Sequence, residues 1–479
     1  MFIRRFYNEP LAQASYMVGC QSAGVAVVVD ANRDSAQYHA AAREESVRIT
    51  HITETHIHAD YLSGSRQLAR ETGARLLLSA EGGDSWQYAF AKDDDAVLLR
   101  DGDRFSVGAV RVDVIHTPGH TPEHLTFLVT DGAAGEAPMG ALTGDFLFVG
   151  DVGRPDLLER AAHVSGTMES SARTLFRSLR RFAKLPDFLQ IWPGHGAGSA
   201  CGKALGAMPQ STLGYEKLVN WAFAIDDEDE FVKEVLAGQP DPPAYFAMMK
   251  RLNREGPALL DGAPAPREES PAALESFLRG GSVVVDLRSA PHFRAGHVPG
   301  TLSIPFARSF VGWAGWLLPY DRDVHLIVPG TGSDARSVAE RAAMDLALIG
   351  IDRVRGYFSE AALESWRREH GSLESVTDMD VAELEQKLRR GEVQLIDVRA
   401  RSEWDAGHIA GSRNIPLGEL AAATETIADS RPVVLQCASG ARSSMASSVL
   451  LANGVRDVIN LPGGIAAWRD AGLAISAPE

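Results

Sequence analysis

Cysteine, positive charge and long apolar runs are all scarce in this sequence of 479 residues. The three cysteines, Cys20, Cys201 and Cys437, are odd in number and widely spaced, which excludes a disulfide framework. Lysine and arginine total 47 against 63 aspartate and glutamate residues, and the net charge of −16 excludes an extended nucleic-acid footprint. No apolar run reaches the roughly 18 residues of a membrane span, and polar residues interrupt the N-terminal segment where a signal peptide needs its apolar core. We therefore expect a cytoplasmic protein without a membrane partner.

The length predicts about three domains. In the first 250 residues short apolar runs alternate with turn-rich breaks, which indicates strands and helices in alternation. The predicted strands are 25–29, 49–53, 75–79, 110–115, 125–130 and 189–192, and the predicted helices are 35–46, 62–71, 169–182 and 228–236. The segment 256–271 contains four prolines and few large apolar residues, which is typical of a linker. We therefore expect a first domain at 1–255 and a linker at 256–271.

An internal repeat follows the predicted linker. The run VVVDLR at 283–288 is followed by AGHVPG and IP, and LIDVR at 395–399 is followed by AGHIAG and IP. The matched positions lie 111 residues apart throughout. This repeat predicts two homologous modules in tandem, 272–371 and 372–479.

Four short motifs in the first domain contain residue types that bind divalent metals. They read THIHADY at 55–61, PGH at 118–120, TGD at 143–145 and PGH at 193–195, and each follows an apolar run. Strand ends on one rim of a sheet sandwich bring such side chains together, and histidine and aspartate are ligands of borderline divalent metals. A single histidine in such a place is more often structural. The ordered set of four motifs predicts a metal site.

This ordered set resembles the metallo-β-lactamase superfamily, which implies an αββα sandwich for the first domain. The opening motif of that family normally ends in histidine, where this sequence has Tyr61. Hydrolytic members use the preceding aspartate and that histidine for a second metal, so Tyr61 argues against a binuclear site. Resemblance to the persulfide dioxygenase branch implies one Fe(II) per chain, bound by His56, His120 and Asp145, with positions left open for O₂ and substrate.

The same resemblance implies that further residues orient the iron ligands and bound water: His58, Asp60, Tyr61 and His195. The segment 149–156 also looks like this branch, and its Arg154 either binds a substrate carboxylate or forms a structural salt bridge. Cys201 follows His195 in a glycine-rich stretch, where it is either a structural thiol or a sulfur relay next to the iron pocket. Both alternatives stay open for Arg154 and for Cys201.

The second module of the repeat contains a cysteine loop after an apolar strand-like run. The loop reads CASGAR at 437–442, and with the flanking DVR, GHI and LPGG motifs it resembles the active loop of rhodanese. A loop that closes onto a helix N-terminus favours a thiolate or persulfide anion. We therefore expect Cys437 to be the nucleophile and Arg442 to add positive charge. The equivalent loop of the first module, 327–336, has no cysteine, which implies an inactive rhodanese-like domain. Both modules are expected to be α/β domains with parallel sheets.

The resemblance spans nearly the whole chain and implies a coherent activity. An iron-dependent dioxygenase would oxidise glutathione persulfide, or a similar small persulfide, to sulfite. Cys437 would exchange sulfane sulfur with sulfite, thiosulfate and glutathione or another thiol. The direction of this exchange stays open. The oligomeric state also stays open, and a homo-oligomer is one of the alternatives. Two alternatives also remain: a zinc thioester hydrolase of the glyoxalase II type, and a non-enzymatic carrier or sensor of sulfane sulfur.

Overall fold

The computed structural model describes residues 1–160, 166–203, 205–239, 242–427 and 431–476. The chain divides into two compact units. Unit 1 comprises Met1–Ala263 with Ala347–Gly350, and unit 2 comprises Pro264–Leu346 with Ile351–Glu479. Across these described ranges, no helix is both long enough and apolar enough to cross a membrane.

Unit 1 contains two sheets, each of six strands within the described ranges. The strands of the first sheet, in spatial order, are β1 Phe2–Asn8, β2 Gln13–Cys20, β3 Val25–Val29, β4 Arg48–Thr53, β5 Arg75–Ser79 and β6 Val97–Leu99. The strands of the second sheet, also neighbours in chain order, are β7 Arg104–Val107, β8 Val110–His116, β9 Leu125–Asp131, β10 Gly140–Gly144, β11 Gln190–Pro193 and β12 Ser211–Thr212. The β3–β6 pairs are parallel, as is the pair of β10 with β11.

The two sheets of unit 1 are packed between helices. Alternate residues of a strand face opposite sides of a sheet, so Val27 belongs to the core between the sheets, whereas Val28 belongs to an outer core with Tyr38 and Leu68. A third core joins the outer face of the second sheet to Leu175 and Phe231. The helices are α1 Ser35–Glu44, α2 Ser65–Thr72, α3 Leu157–Arg160, α4 Met168–Phe182, α5 Leu213–Val219, α6 Trp221–Ala224, α7 Glu228–Leu236 and α8 Tyr245–Glu255. The predicted αββα sandwich is confirmed.

Unit 2 contains two sheets with equivalent strand orders, each of five strands within the described ranges. The first has the order β13-β17-β16-β14-β15, with β13 Arg267–Glu268, β14 Val283–Asp286, β15 Leu302–Ser303, β16 Val324–Ile327 and β17 Val354–Phe358. The second has the order β18-β22-β21-β19-β20, with β18 Thr377–Asp378, β19 Gln394–Asp397, β20 Ser412–Asn414, β21 Val433–Gln436 and β22 Val458–Asn460. The strand pairs in both sheets are parallel, as expected for α/β domains. Strand β13 lies inside the segment predicted as a linker.

The helices after residue 264 are α9 Leu274–Arg279, α10 Ala290–Ala295, α11 Phe310–Leu317, α12 Gly332–Leu348, α13 Ala361–His370, α14 Val381–Arg389, α15 Arg401–Asp405, α16 Ala441–Ala452 and α17 Gly464–Asp470. Helix α16 of the second module packs against β15 of the first. The Ser303 amide donates a hydrogen bond to Ser448 Oγ at 2.9 Å, and Arg294 Nε lies 3.1 Å from Asp378 Oδ1. The contact between the modules is therefore polar at these points.

Candidate metal centre and cysteine loop

Four loops of unit 1 begin where strands end. Strands β4, β8, β10 and β11 are followed by His56, His120, Asp145 and His195, respectively. All four side chains are buried, with at most 2% of their surface exposed. Burial of so many ionisable groups in one place requires partners that offset their desolvation.

His56, His120 and Asp145 form a first cluster, whose donor atoms lie within 4.8 Å of one another. Asp145 Oδ2 is 3.8 Å from His56 Nε2 and 3.6 Å from His120 Nε2. Among the described residues, His56 Nε2 and both carboxylate oxygens of Asp145 are buried without a hydrogen bond of acceptable geometry. Such atoms are costly to bury unless a cation binds them. The cluster is therefore a candidate site for one divalent metal ion with three protein ligands.

Asp60, His195 and Cys201 form a second cluster, again with donor atoms within 4.8 Å of one another. His195 Nε2 lies 3.3 Å from Asp60 Oδ2 and 3.4 Å from Asp145 Oδ1, so Asp145 faces both clusters. Burial raises the pKa of the Cys201 thiol well above its usual value, and the carboxylates of Asp60 and Asp145 raise it further. The thiol therefore keeps its proton unless a cation replaces it.

Backbone carbonyls fix the ring orientation of two of these histidines. His120 Nδ1 donates to the carbonyl oxygen of Arg154 at 3.0 Å, and His195 Nδ1 donates to that of Ala12 at 3.0 Å. A carbonyl oxygen can only accept, so the proton is on Nδ1 in both rings. The Nε2 atoms of both rings face the clusters, which is the arrangement of metal-binding histidines.

Asp30, directly after β3, orients the loop that carries His56. Its Oδ2 accepts a hydrogen bond from Thr55 Oγ1 at 2.9 Å, and its Oδ1 accepts from the Thr55 amide at 2.7 Å. Thr55 Oγ1 in turn accepts from His56 Nδ1 at 3.0 Å. Asp30 adopts a φ of +57°, a strained conformation for a residue other than glycine. Asp30 was not predicted; it stands where a strand ends, as the predicted metal ligands do.

His58 and Tyr61 also contact Asp30, and neither belongs to a donor cluster in the described part of the chain. His58 Nε2 lies 3.2 Å from Asp30 Oδ1, and Tyr61 Oη donates to the Asp30 carbonyl at 3.2 Å. Burial alone would lower the pKa of His58, but the Asp30 carboxylate raises it to about 9. His58 is therefore paired with Asp30, and this contact lies in the loop that carries His56.

His124 contacts two of the candidate ligands and was missed in the sequence. Its ring stacks on that of His56 with centroids 5.1 Å apart. Its Nε2 accepts a hydrogen bond from the Asp145 amide at 3.1 Å, so its Nδ1 carries the proton and donates to Thr117 Oγ1 at 2.9 Å. His124 therefore fixes the backbone of Asp145. The signal that could have found it is its place directly before strand β9.

Helix α8 is anchored to the loop between His58 and Ser63. The Asn253 side-chain amide donates to the carbonyl oxygens of His58 and Tyr61, each at 2.8 Å. Asn253 Oδ1 accepts from the Ser63 amide at 2.8 Å. This anchoring holds the chain at Ser63 outside a helix, so α2 begins at Ser65 instead of the predicted residue 62.

Arg154 is fully buried and forms a bidentate ion pair with Asp156. Its Nε and one terminal nitrogen donate to the two carboxylate oxygens at 2.7 and 2.6 Å. Of the two alternatives for this residue, the structure thus contains the salt bridge. The Arg154 carbonyl meanwhile accepts the hydrogen bond from His120, so the ion pair also positions a candidate ligand.

Cys437 directly follows strand β21 in the second module of unit 2, and the residue is 1% exposed. Its Sγ accepts a hydrogen bond from the Gly440 amide at 3.0 Å and donates to Ser443 Oγ at 3.8 Å. Gly440 has a φ of +99°, which a side chain would disfavour, and α16 begins at the next residue. The loop thus points an amide and a helix N-terminus at the sulfur, which favours an anion there.

Arg442 lies in the first turn of α16, directly after the loop, and its charge has a partner. Its two terminal nitrogens donate to the Glu403 carboxylate at 2.6 and 2.9 Å. The guanidinium therefore fixes the loop to α15 as well as contributing positive charge. In the first module, α12 begins at Gly332 after β16, in the same position of the sheet, and no cysteine is present in that loop.

Two family descriptions match the chain. That of the metallo-beta-lactamase superfamily matches residues 8–195, and that of the rhodanese-like domain matches residues 380–471. Hydroxyacylglutathione hydrolase of Methylobacterium nodulans is 31% identical over 235 residues, which cover 44% of this chain and 82% of that protein. The uncharacterized protein YqhL of Bacillus subtilis is 42% identical over 86 residues, which cover 18% of this chain and 68% of that protein.

A solved structure covers more of the chain. The crystal structure of a metallo-beta-lactamase from Staphylococcus aureus is 42% identical, with a TM-score of 0.68, and the match covers 75% of this chain and 99% of that one. A match of that extent is longer than unit 1. The similarity therefore includes part of unit 2.

Proposed function

The chain belongs to the metallo-beta-lactamase superfamily and carries a C-terminal rhodanese-like domain, and from this premise we propose that it is an Fe(II)-dependent persulfide dioxygenase with sulfurtransferase activity. The observation that carries the proposal is the first cluster. Two histidines and one carboxylate are the ligand set of non-haem iron oxygenases, and within the described residues His56 Nε2 and both Asp145 oxygens are buried without a hydrogen bond. Tyr61, in the place of a second-metal histidine, is hydrogen-bonded to the backbone of Asp30 instead.

The proposed overall reaction balances as one persulfide, one O₂ and one water giving one thiol, one sulfite and two protons. When bound, Fe(II) supplies open coordination positions for O₂ and for the terminal sulfur of the persulfide. His56, His120 and Asp145 would hold it. Asp30, through Thr55, and the Arg154 carbonyl keep the Nε2 atoms of the two histidines unprotonated and directed at the site. The small substrate would be glutathione persulfide or a similar persulfide.

The proposed role of Cys437 is to carry sulfane sulfur. Its thiolate attacks the outer sulfur of thiosulfate, the S–S bond breaks, and sulfite leaves with the bonding electron pair. In the reverse direction sulfite attacks the Cys437 persulfide, and thiosulfate forms as the thiol is released. The Gly440 amide and the N-terminus of α16 stabilise the anion in either direction. Sulfite is the shared compound that links this chemistry to the dioxygenase.

The test is elemental analysis of anaerobically purified protein together with an oxygen electrode and glutathione persulfide. We expect about one iron per chain and one sulfite per O₂ consumed. Asp145→Ala should lose iron and O₂ consumption together, because it removes a ligand from the first cluster, and it should retain sulfur transfer between thiosulfate and a thiol. Iron-free wild-type protein that consumes O₂ at the full rate would contradict the proposal.

A zinc thioester hydrolase is the second candidate function, and the second cluster favours it. Asp60, His195 and Cys201 could hold another metal ion, and Asp145 faces both clusters. This function predicts about two zinc ions per chain and hydrolysis of lactoylglutathione without O₂ consumption. The same metal analysis and oxygen measurement therefore distinguish the two candidates.

A further inference from the structure

Gln13, the first residue of β2, contacts the chain segments that hold both metal clusters. The residue is 1% exposed. Its side-chain Nε2 donates a hydrogen bond to the carbonyl oxygen of Asp30 at 2.9 Å, and Asp30 orients the loop that carries His56. Its backbone forms an isolated antiparallel bridge with His195 of the second cluster. Gln13 therefore links a segment of each cluster, one through its side chain and the other through its backbone.

The residues on either side of Gln13 complete the contact with the His195 segment. The Ala14 amide donates to the carbonyl oxygen of Gly194 at 2.7 Å. The Ala12 carbonyl accepts from the Gly196 amide at 3.2 Å and from His195 Nδ1 at 3.0 Å. Ala12 makes these contacts with a φ of +50°, which is strained for a residue other than glycine. The start of β2 therefore fixes both the backbone and the ring of His195.

The orientation of the Gln13 side-chain amide is fixed by its neighbours. The Asp30 carbonyl can only accept, so Nε2 of Gln13 faces it. Oε1 of Gln13 accepts from Asn32 Nδ2 at 3.0 Å. Asn32 Oδ1 in turn accepts from the Asp34 amide at 3.1 Å, which leaves the Asn32 nitrogen to face Gln13. Both ends of this buried amide have a partner, as a buried polar group requires, so the link between β2 and Asp30 is specific.

We propose that Gln13 is a positioning residue that couples the two clusters by holding His195 in a fixed position relative to the loop of His56. Asp145 faces both clusters: its Oδ1 lies 3.4 Å from His195 Nε2, and its Oδ2 lies 3.8 Å from His56 Nε2. A shift of either segment therefore changes the surroundings of this candidate ligand. The inference rests on the proposed function for its effect on turnover, and on the metal site alone for its effect on metal affinity.

The experiment compares the full-length wild type with Gln13→Met and Ser15→Ala. Methionine keeps the approximate length of glutamine and removes the hydrogen bond to Asp30, while the backbone contacts with His195 remain. Ser15→Ala is the matched control, because Ser15 lies two residues further along the same face of β2, is fully buried, and is hydrogen-bonded to Tyr38 Oη at 2.7 Å. The probe is Co(II), at up to one equivalent per chain, whose visible spectrum reports the positions of its ligands without turnover.

The two variants should differ at the metal. We expect Gln13→Met to lower the affinity for Co(II) roughly tenfold, as for other losses of an outer hydrogen bond, and to shift the visible spectrum of the Co(II) protein. With Fe(II), kcat for glutathione persulfide should also fall roughly tenfold, with KM little changed, because the groups around the metal are displaced. Ser15→Ala should lower the melting temperature to a similar extent but leave Co(II) affinity and the spectrum as in the wild type. Equal Co(II) affinity in the two variants would overturn the inference.

A double-mutant cycle with His195→Ala tests the coupling itself. If Gln13 holds His195 in position, removal of the His195 ring matters less once the link to Asp30 is lost. We expect the loss of Co(II) affinity caused by His195→Ala to be smaller in Gln13→Met protein than in the wild type, by roughly threefold to tenfold. The same loss in both backgrounds would show that the two residues act independently.

The Co(II) measurements also separate this inference from the proposed function. Lower Co(II) affinity in Gln13→Met, together with no O₂ consumption by the Fe(II)-loaded wild type, would leave the coupling intact and exclude the dioxygenase. Unchanged Co(II) affinity in that variant, together with O₂ consumption by the wild type, would exclude the coupling and leave the dioxygenase intact.

Discussion

Single residues outside the candidate ligand set hold the loops that carry it. Asp30 connects to His56 through Thr55, and to His58 and Tyr61 directly. Asp30 makes these contacts with a positive φ, so its backbone is strained in the folded protein. Outer residues of this kind set ring orientation and ligand basicity. Asp30 therefore orients the loop that carries the candidate ligand His56.

Thr55→Val tests this connection. The substitution keeps the side-chain volume and removes the oxygen that links His56 Nδ1 to Asp30. We expect the affinity for Fe(II) to fall roughly tenfold to a hundredfold, as for other losses of an outer hydrogen bond, measured by competition with a chelator. Thr53→Val is the matched control, because Thr53 is fully buried nearby and its Oγ1 has no hydrogen bond within the described ranges. Equal iron affinity in both variants would contradict the role of Thr55.

Cys437→Ser tests the assignment of the sulfur carrier. We expect it to abolish sulfur transfer from thiosulfate to a thiol and to leave persulfide-dependent O₂ consumption unchanged, because Cys437 is far along the chain from the metal motifs and belongs to unit 2. Both rates can be measured on one preparation. Transfer that survives in this variant would move the role to Cys201 or Cys20.

At the scale of elements, each site is built where a strand passes into a loop. For Cys437 the loop is closed by a second segment, the start of α17. The amide of Ile465 donates to the Cys437 carbonyl at 2.8 Å. Gly464 has a φ of +56°, and a Cβ there would lie 2.0 Å from that same carbonyl oxygen. Glycine is thus required for the backbone of α17 to approach the loop.

Gly464→Ala should therefore damage the cysteine loop without touching the sulfur. We expect sulfur transfer to fall at least roughly tenfold, since displacement of the loop weakens the Gly440 contact with Sγ. Gly454→Ala is the control, because Gly454 also has a positive φ, +85°, but no atom lies within 4 Å of the place that its Cβ would occupy. Its cost should be confined to about 1 kcal/mol of stability. Similar transfer rates in the two variants would argue against a special role for the close approach.

Many of the strands and helices could be predicted from the sequence. Strand Val25–Val29 and helix Glu228–Leu236 occur as predicted, because each has a clear apolar pattern and, in the helix, an N-cap from Asp227. Strand β2 was missed as an element, since all eight of its residues are buried and no alternation marks it. Helix α8 was missed as well, and its importance comes from contacts with a loop about 190 residues earlier.

The candidate site could also be predicted in part. The metal motifs could be found because each follows an apolar strand in the sequence. The grouping of Cys201 with Asp60 could not, because it depends on how the loop after His195 folds back. Asp30 and His124 were missed for the same reason: their partners are distant in sequence, and neither lies in a motif.

At the scale of the whole molecule, the two modules of unit 2 support each other. The cysteine-free first module contributes β15 and Arg294 to the surface on which α16 and Asp378 of the second module lie. Helix α16 begins immediately after the Cys437 loop. The first module therefore supports the helix that completes the cysteine site, although it has no cysteine of its own.

Separation of the modules tests this support. We expect the fragment 372–479 to melt roughly 10 °C below the fragment 264–479, because it loses the Ser303–Ser448 hydrogen bond and the packing of α16, and a loss of about 1–2 kcal/mol shifts the melting temperature of a domain of this size by about that much. Circular dichroism and sulfur-transfer rates measure both effects. A fragment 372–479 as stable and as active as the longer one would show that the first module contributes nothing to the second.

The polar contact along α16 also has a mechanical consequence. Ser444 and Ser448, both buried on this helix, accept hydrogen bonds from the Arg294 side chain and the Ser303 amide of the first module, so sliding one module past the other would leave these buried polar groups without hydrogen bonds. When a stretching force is applied to the two ends of the fragment 264–479, we expect the two modules to unfold together in one event. Two independent domains joined by a flexible linker would instead unfold in two separate events.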